Sequence, residues 1–381
     1  MKTVIFFRRI VASFSKRKRC FSEQEKMEYI YSFPEPRSDF DRTLYQYKCT
    51  MKRWTWYQRI MVNVGATVTL VPYYLKLYNT KVKKKEFCDA IFFSDRISVD
   101  TIPMSVQRKY PNTKVLRLGE NMILNWSDLK FIFENIVLRK VTPYYLLKLI
   151  FKLGMISYAI KSYNPKAIIS YSEESFTTSL MTKYCEKQNI EYIGIQHGER
   201  LFELKLTFFR CSKYYLWDEY YIKLFSRMRC ELSQFIIEQP QTLKFEKCNL
   251  LQTRKVDFTF YLQDETTETI SRIYEYVKIL QDKGATVKIR PHPQWTDLKL
   301  LNKFSYNIIQ SCKEVDLVAS LSGTCYAVGR CSTVLFQAYN VGIPVVIDDI
   351  SDPNEFYELE QSCYILLNVP HVLLSNIGEI I

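Results

Sequence analysis

The chain has 381 residues, of which 47% are hydrophobic and 24% charged, the make-up of an ordinary globular protein rather than a disordered or fibrous one. At this length two domains are expected, since single cores stop growing near ~250–300 residues. The net charge is +13, and all of it lies in residues 1–85, with 19 Lys and Arg against 6 Asp and Glu; residues 86–381 carry 34 of each. Such an asymmetry points to an anionic surface, whether a membrane leaflet, a nucleic acid or an acidic polymer, although a solvated basic face has the same composition.

The 11 cysteines include no C-x-x-C pair, which argues against a zinc site or a thioredoxin-like motif. The odd count reads as reduced, buried thiols in a cytosolic protein. In Met1–Arg19 a short apolar patch precedes the basic run, the reverse of the order in a secretory signal. Ile5, Phe6, Ile10 and Phe14 fall at helical spacing among basic residues, as in an amphipathic helix lying on anionic lipid or a first core helix with a basic outer face, and the Lys81–Lys85 cluster extends that surface. The longest uncharged stretch, Ile60–Leu75, is 16 residues and contains Pro72. A spanning helix needs ~20, so the expectation is a protein that sits on a membrane without crossing it.

From residue 86 short apolar runs alternate with helical segments. Strands are expected at Phe87–Phe93, Lys114–Leu118, Ala167–Tyr171, Tyr192–Ile195 and Tyr214–Trp217, and helices near 126–138, 143–162 and 174–188. Residues 234–254 show no clear periodicity and contain Pro240, so the domain boundary is placed there. A second set follows: strand 256–262, helix 266–282 with Gly284 as its stop, strand 285–290, helix 313–321, strand 325–328, helix 333–341 and strand 344–347. The predicted fold class is α/β, two Rossmann-like doubly wound domains facing a cleft, with an N-terminal domain over 1–238 and a C-terminal domain over 250–381. Ligands of such folds bind at the carboxyl ends of the strands.

The candidate functional residues fall at those ends. Of three His, His197 follows Tyr192–Ile195 within Gln196-His197-Gly198, and His292 follows the strand ending at Arg290, within Arg290-Pro291-His292-Pro293. Prolines on both sides hold the His292 imidazole on a stiff turn. Arg290 offers a permanent cation to phosphate, or a partner to a carboxylate at a domain interface. In Gly329-Arg330-Cys331-Ser332-Thr333, a turn leads into a helix whose free N–H groups and two hydroxyls suit a phosphate, with Ser332 also a good N-cap. Glu173 and Glu174 follow the strand 167–171, where a carboxylate could act as general base or open the next helix.

These residues resemble the bacterial sialyltransferases of the GT-B fold, which carry an acidic pair followed by Gly, a His-Pro and a Ser-Ser or Ser-Thr in this order. The matching positions are Glu173-Glu174-Ser175, His292-Pro293 and Ser332-Thr333, with Ser175 a departure from Gly. Gln196-His197-Gly198 is similar instead to capsule-polysaccharide transferases and teichoic-acid glycerophosphotransferases. Many GT-B transferases have Glu-Ala where this chain has Gln337-Ala338, and use the Glu on the ribose; Gln337 can still bond a ribose hydroxyl, with less strength than a carboxylate.

The resemblance implies an inverting glycosyltransferase of capsule or lipopolysaccharide synthesis, with no resident cofactor and no metal requirement. Its partners would be a nucleotide sugar, with CMP favoured, a glycan or lipid-linked acceptor and an anionic membrane surface, but no nucleic acid. Its place would be cytoplasmic, peripheral to the inner face of the plasma membrane. Glu173, His197 and His292 are the expected catalytic residues. Arg290, Pro293, Ser332, Thr333 and Gln337 would hold the donor; Glu174, Gln196 and Gly198 lie on the acceptor side. The rivals are a CDP-activated polyol-phosphate transferase, a sugar-nucleotide epimerase, and a basic membrane or nucleic-acid binding protein.

Overall fold

A computed structural model of the chain describes residues 20–78, 86–95, 97–136, 141–244 and 256–379. The basic start over 1–19 and the Lys81–Lys85 cluster lie outside the described residues, as does the 245–255 part of the expected boundary. The chain divides into two units: one holds the described residues up to His197 together with Phe202–Pro240, the other Gly198–Leu201 and those from Gln241 onward.

The described part of the first unit opens with three helices. Helix α1 (Glu23–Tyr31) starts at a capping box in which Ser22 and Glu25 bond each other's backbone N–H. Helix α2 (Asp39–Lys52) is capped by Ser38, and α3 (Trp56–Tyr78) carries Pro72 inside it. The sheet follows, with β1 (Ala90–Phe93), β2 (Thr113–Leu116), β3 (Ala167–Ser170), β4 (Glu191–Ile195), β5 (Lys213–Leu216) and β6 (Phe235–Ile237) in the order β2-β1-β3-β4-β5-β6, every pair parallel. Every residue of β1 and β3 is buried, which is why Ala90–Phe93 and Ala167–Ile169 read as unbroken apolar runs. Phe92, Ile169, Ile193 and Ile195 meet in the core. Helices α4 (Met104–Lys109), α5 (Trp126–Ile136), α6 (Pro143–Tyr163), α7 (Thr178–Glu186) and α8 (Glu219–Arg227) belong to the same unit.

In the second unit β7 (Val256–Tyr261), β8 (Val287–Arg290), β9 (Thr324–Gly329), β10 (Val345–Ile347) and β11 (Val372–Leu373) form a second wholly parallel sheet in the order β11-β10-β9-β7-β8. Its helices are α9 (Thr267–Asp282), α10 (Leu317–Ser322), α11 (Thr333–Asn340) and α12 (Pro353–Glu360). Phe258, Phe260, Ile289, Val328 and Val346 fill the core against Ile270, Ile273 and Val277 of α9. Gly284 follows α9 at φ 89°, a left-handed turn that glycine adopts without strain.

The fold class is therefore α/β, built on two doubly wound parallel sheets. Two local expectations change. Residues 235–237, read as part of an unstructured boundary, form β6 beside β5, with Tyr214 opposite Phe235. The helix expected from 174 begins at Thr178, so Glu173 and Glu174 lie in the preceding turn and do not open it.

Gly194 in β4 shows how tightly the first sheet is built. A Cβ there would stand 2.3 Å from Cδ2 of the buried Tyr214 and 3.1 Å from Cys211 Sγ. Gly194→Ala should therefore destabilise the protein by about 1–3 kcal/mol through overpacking, as read by urea denaturation. The same substitution at Gly342, where a Cβ meets nothing within 4 Å but φ is 78°, tests backbone strain without packing.

Candidate functional site

The second sheet has its switch point between β7 and β9, because the chain leaves β7 for β8 on one side and reaches β9 on the other. Three segments end on that face: Gln263–Glu265 after β7, Pro291–Thr296 after β8 and Arg330–Ser332 after β9. One hydrogen-bonded path joins them. The His292 N–H donates to Thr296 Oγ1 at 2.8 Å, and that hydroxyl donates to the Gln263 carbonyl at 2.6 Å. The Gln263 side chain donates in turn to the Cys331 carbonyl, one residue before the α11 cap. Gln263 N–H donates to both carboxylate oxygens of Glu265, at 2.6 and 2.8 Å.

His292 Nδ1 accepts from the backbone N–H groups of Gln294 (3.1 Å) and Trp295 (3.2 Å). With two donors aimed at Nδ1, the neutral ring carries its proton on Nε2 and presents it as a donor. Burial pushes the His292 pKa below its ordinary value, and the Asp264 carboxylate pulls the other way. The imidazole is therefore mainly neutral at pH 7. Pro293 beside it is exposed.

Ser332 caps α11 with Oγ accepting from Val334 N–H at 3.2 Å, which leaves its O–H able to donate to a ligand. Thr333, the first helical residue, is half-buried at the positive end of the helix. Gly329 lets the end of β9 approach β7, since a Cβ there would lie 3.2 Å from the Tyr261 carbonyl. Gly198 belongs to this unit, and a Cβ added to it would lie 4.0 Å from Thr333 Oγ1.

The two arginines of this face have opposite surroundings. Arg330 Nη2 meets Glu265 at 3.2 Å, and Nη1 meets Glu355, with Asp352 at 3.7 Å. Burial pushes the Glu355 pKa up, Arg330 pulls it down and the neighbouring carboxylates add to the rise. Arg290 is 7% exposed, and its Nη1 donates to Gln310 Oε1 at 3.1 Å and the Val315 carbonyl at 2.9 Å. Among the described residues it forms no ion pair. The guanidinium expected to meet phosphate is thus buried and held by two neutral acceptors. Gln337 is held in a similar way. It is buried, its Nε2 donates to the Thr242 carbonyl at 2.8 Å, and its Oε1 is enclosed, so the amide fastens the 241–244 segment.

The expected acceptor-side residues belong to the first unit, apart from Gly198. Gln196 is buried at the end of β4: its N–H donates to the Tyr215 carbonyl, and its Oε1 accepts from Trp217 N–H at 3.2 Å. It braces the adjoining strand. His197 is half-buried, with its ring 4.6 Å from that of Tyr171 at the end of β3. Glu174 pairs with Lys205 at 3.0 Å. Desolvation lowers the Lys205 pKa, but Glu203 and Glu174 more than offset it and the pKa is raised. Glu173 is 2% exposed with both carboxylate oxygens enclosed, and its carbonyl accepts from Gln46 at 2.7 Å. Of the two groups expected as general base, Glu173 is enclosed and His197 is the more accessible.

Sequence reasoning missed Thr296, Gln263, Glu265 and Tyr171. Thr296 and Gln263 act through backbone carbonyls, which leave no residue-type signature. Tyr171 sits two residues before Glu173 and was readable as an aromatic at a strand end. Among the described residues no group of three or more His, Cys, Asp or Glu is arranged to hold a metal.

No protein-family model matches the sequence, and no curated protein does. Among solved structures the chain is similar to a UDP-N-acetylglucosamine 2-epimerase from Rickettsia bellii, at 11% identity and TM-score 0.43 over 68% of this chain and 78% of that one. It is also similar to a variant of the wall teichoic acid polymerase TagF, at 10% identity and TM-score 0.44 over 84% and 86%. The glycotransferase of kitacinnamycin matches at 9% identity and TM-score 0.44 over 76% and 87%. At these values the likenesses assign neither a reaction nor a site, and the α/β class rests on the two sheets themselves.

Two outcomes follow from this geometry. Thr296→Val removes both bonds of its hydroxyl and frees the His292 turn toward solvent, which should relieve part of the burial that lowers the ring's pKa and raise it toward its ordinary value, read by NMR titration of the ring proton assigned with His292→Gln. Arg330→Met leaves Glu265, Asp352 and Glu355 without their cation and should cost about 3–5 kcal/mol. Because the native-state Glu355 pKa is already raised, protonation relieves the repulsion, so this loss should be largest above that pKa and shrink as pH falls.

Proposed function

We propose that the chain is a GT-B-type glycosyltransferase that moves a sugar, sialic acid or a relative, from a nucleotide-activated donor to a growing capsule or lipopolysaccharide glycan. The observation that carries this reading is the pairing of two phosphate-seeking groups on one sheet face. These are the His292 Nε2–H donor and the N-terminus of α11 with the Ser332 and Thr333 hydroxyls, linked through Thr296 and Gln263.

In the proposed reaction an acceptor hydroxyl oxygen bonds to the anomeric carbon as the bond from that carbon to the phosphate oxygen breaks. The electron pair goes to the phosphate. His292 donates a hydrogen bond from Nε2 to that oxygen, and the helix terminus with its hydroxyls stabilises the developing charge. The buried Arg290 adds positive potential without contact. His197 takes the hydroxyl proton. A single displacement of this kind inverts the anomeric centre, and it asks for no metal. CMP as the activating nucleotide rests on the His-Pro and Ser-Thr resemblance. The proposed setting is the inner face of the plasma membrane, with a glycan or lipid-linked acceptor. Gln196-His197-Gly198 favours a second reading, transfer of a polyol phosphate from a CDP-activated donor, in which the new bond is to phosphorus.

The test is nucleotide release in the presence of EDTA from CMP-, UDP-, GDP- and CDP-activated donors, with and without capsule or lipopolysaccharide glycan. Release from one sugar donor, reduced about 10²–10³-fold in His292→Ala, is expected. His292→Gln, which keeps an N–H near the Nε2 position, should retain more. The wild-type rate should fall as pH drops, because protonation of His197 removes the base and protonation of His292 places a hydrogen on Nδ1 against two N–H donors; His292→Gln should keep only the His197 part of this limb. Release from CDP-glycerol alone would favour the second reading. Neither release nor binding of any donor, or a His292→Ala variant equal to wild type, would overturn both.

A further inference from the structure

Helix α3 carries an apolar face that no described residue of its unit covers. Its inner side packs on α6: Val62 and Ala66 are buried, Asn63 Oδ1 accepts from Tyr144 N–H at 3.1 Å, and the Tyr73 ring stacks on Phe151 with centroids 6.1 Å apart. Its outer side presents Trp56, Ile60, Val64, Val68, Val71 and Leu75, each more than half exposed, with Val68 at 71% and Trp56 at 73%. The spacing of four, four, four, three and four residues keeps them in one stripe about 28 Å long. Exposed apolar surface this continuous marks a contact site rather than a solvated face.

The charges around the stripe identify what it contacts. From Arg42 to Lys85 the sequence holds ten Lys and Arg and no Asp or Glu. Arg42 and Arg53 pair with Glu231 and Glu203 of the same unit. Lys52 and Arg59 are exposed near the start of the helix and form no ion pair among the described residues. Lys76 and four lysines within 81–85 follow in sequence after Leu75. A second copy of the chain would bring basic flanks against basic flanks. An anionic bilayer receives both the apolar stripe and the positive flanks. The helix meets it from the side, because its opposite face is already packed on α6, and among the described residues no helix is long and apolar enough to cross.

We infer that α3 is an in-plane membrane-docking helix, seated in the headgroup region of an anionic leaflet by the stripe Ile60, Val64, Val68, Val71 and Leu75. This stands independently of the transferase reading, which is carried by the second unit.

The experiment is co-sedimentation of the full chain with phosphatidylcholine vesicles and with vesicles containing about 30% phosphatidylglycerol. The variant is Val64→Glu with Val68→Glu, at two exposed positions where the fold tolerates charge, verified by an unchanged thermal melt. The wild type should bind anionic vesicles at least about 10-fold better than neutral ones, and the double variant should bind them at least about 10-fold more weakly than wild type. High salt should weaken wild-type binding without abolishing it, since the apolar contact is not screened. Equal binding by the double variant would overturn the proposal, leaving the basic sequence alone as the binder. Absence of wild-type binding to either vesicle would overturn it, as would a wild-type dimer in light scattering that the double variant splits, which would make the stripe a self-interface.

Discussion

A parallel sheet buried on both faces leaves little place along its strands for polar side chains, so polar chemistry collects where the strands end. In β1 and β3 no residue escapes burial. In the second unit the consequence is a concentration of polar groups in three short segments after β7, β8 and β9. These segments are irregular, and their backbone groups need partners that no ladder supplies. Thr296 and Gln263 meet that need. One hydroxyl and one amide hold the His292 turn and the start of α11 to the same strand end, so the position of the imidazole follows from backbone satisfaction rather than from packing.

Charge compensation then separates residues of the same type. Arg330 and Arg290 both stand at carboxyl ends of strands of one sheet. Arg330 is surrounded by Glu265, Asp352 and Glu355 and is neutralised where it lies. Arg290 is held by an amide oxygen and a carbonyl, so its full charge remains available to the field above the sheet. In the proposed reaction the donor phosphate is drawn by Arg290 and by the α11 terminus rather than by Arg330. A neutral His292 fits that arrangement: it adds a directed donor without adding another buried charge to be compensated.

The strands were legible because burial on both faces writes an uninterrupted apolar run, as in Ala90–Phe93 and Ala167–Ile169. The three-residue β6 was not, since Phe235–Ile237 is too short to establish a period and lies close to Pro240. Helices α1 and α2 carried readable caps, Ser22 with Glu25 and Ser38, in a region dominated by its charge. His292 and Ser332 were legible as site candidates because their place, just past a strand or at a helix start, follows from local pattern. What each candidate side chain faces was not. Glu173, Gln337 and Arg290 stand at equally suggestive positions, and tertiary neighbours enclose all three.

Groups oriented by their own backbone keep the place that the sequence implies, whereas groups on long side chains do not. The His292 ring is fixed by N–H groups two and three residues away, and Ser332 by its own helix. Gln337 and Arg290 reach Thr242 and Gln310, far along the chain, and no local pattern records those partners. The same reasoning applies to α3. Its inner face could not be told from its outer one by hydrophobicity, since both are apolar, and only the burial of Val62 and Ala66 against α6 shows which stripe remains exposed. An apolar run that is half buried and half bare, with positive charge on both flanks, is explained by two different solvents, protein on one side and lipid on the other.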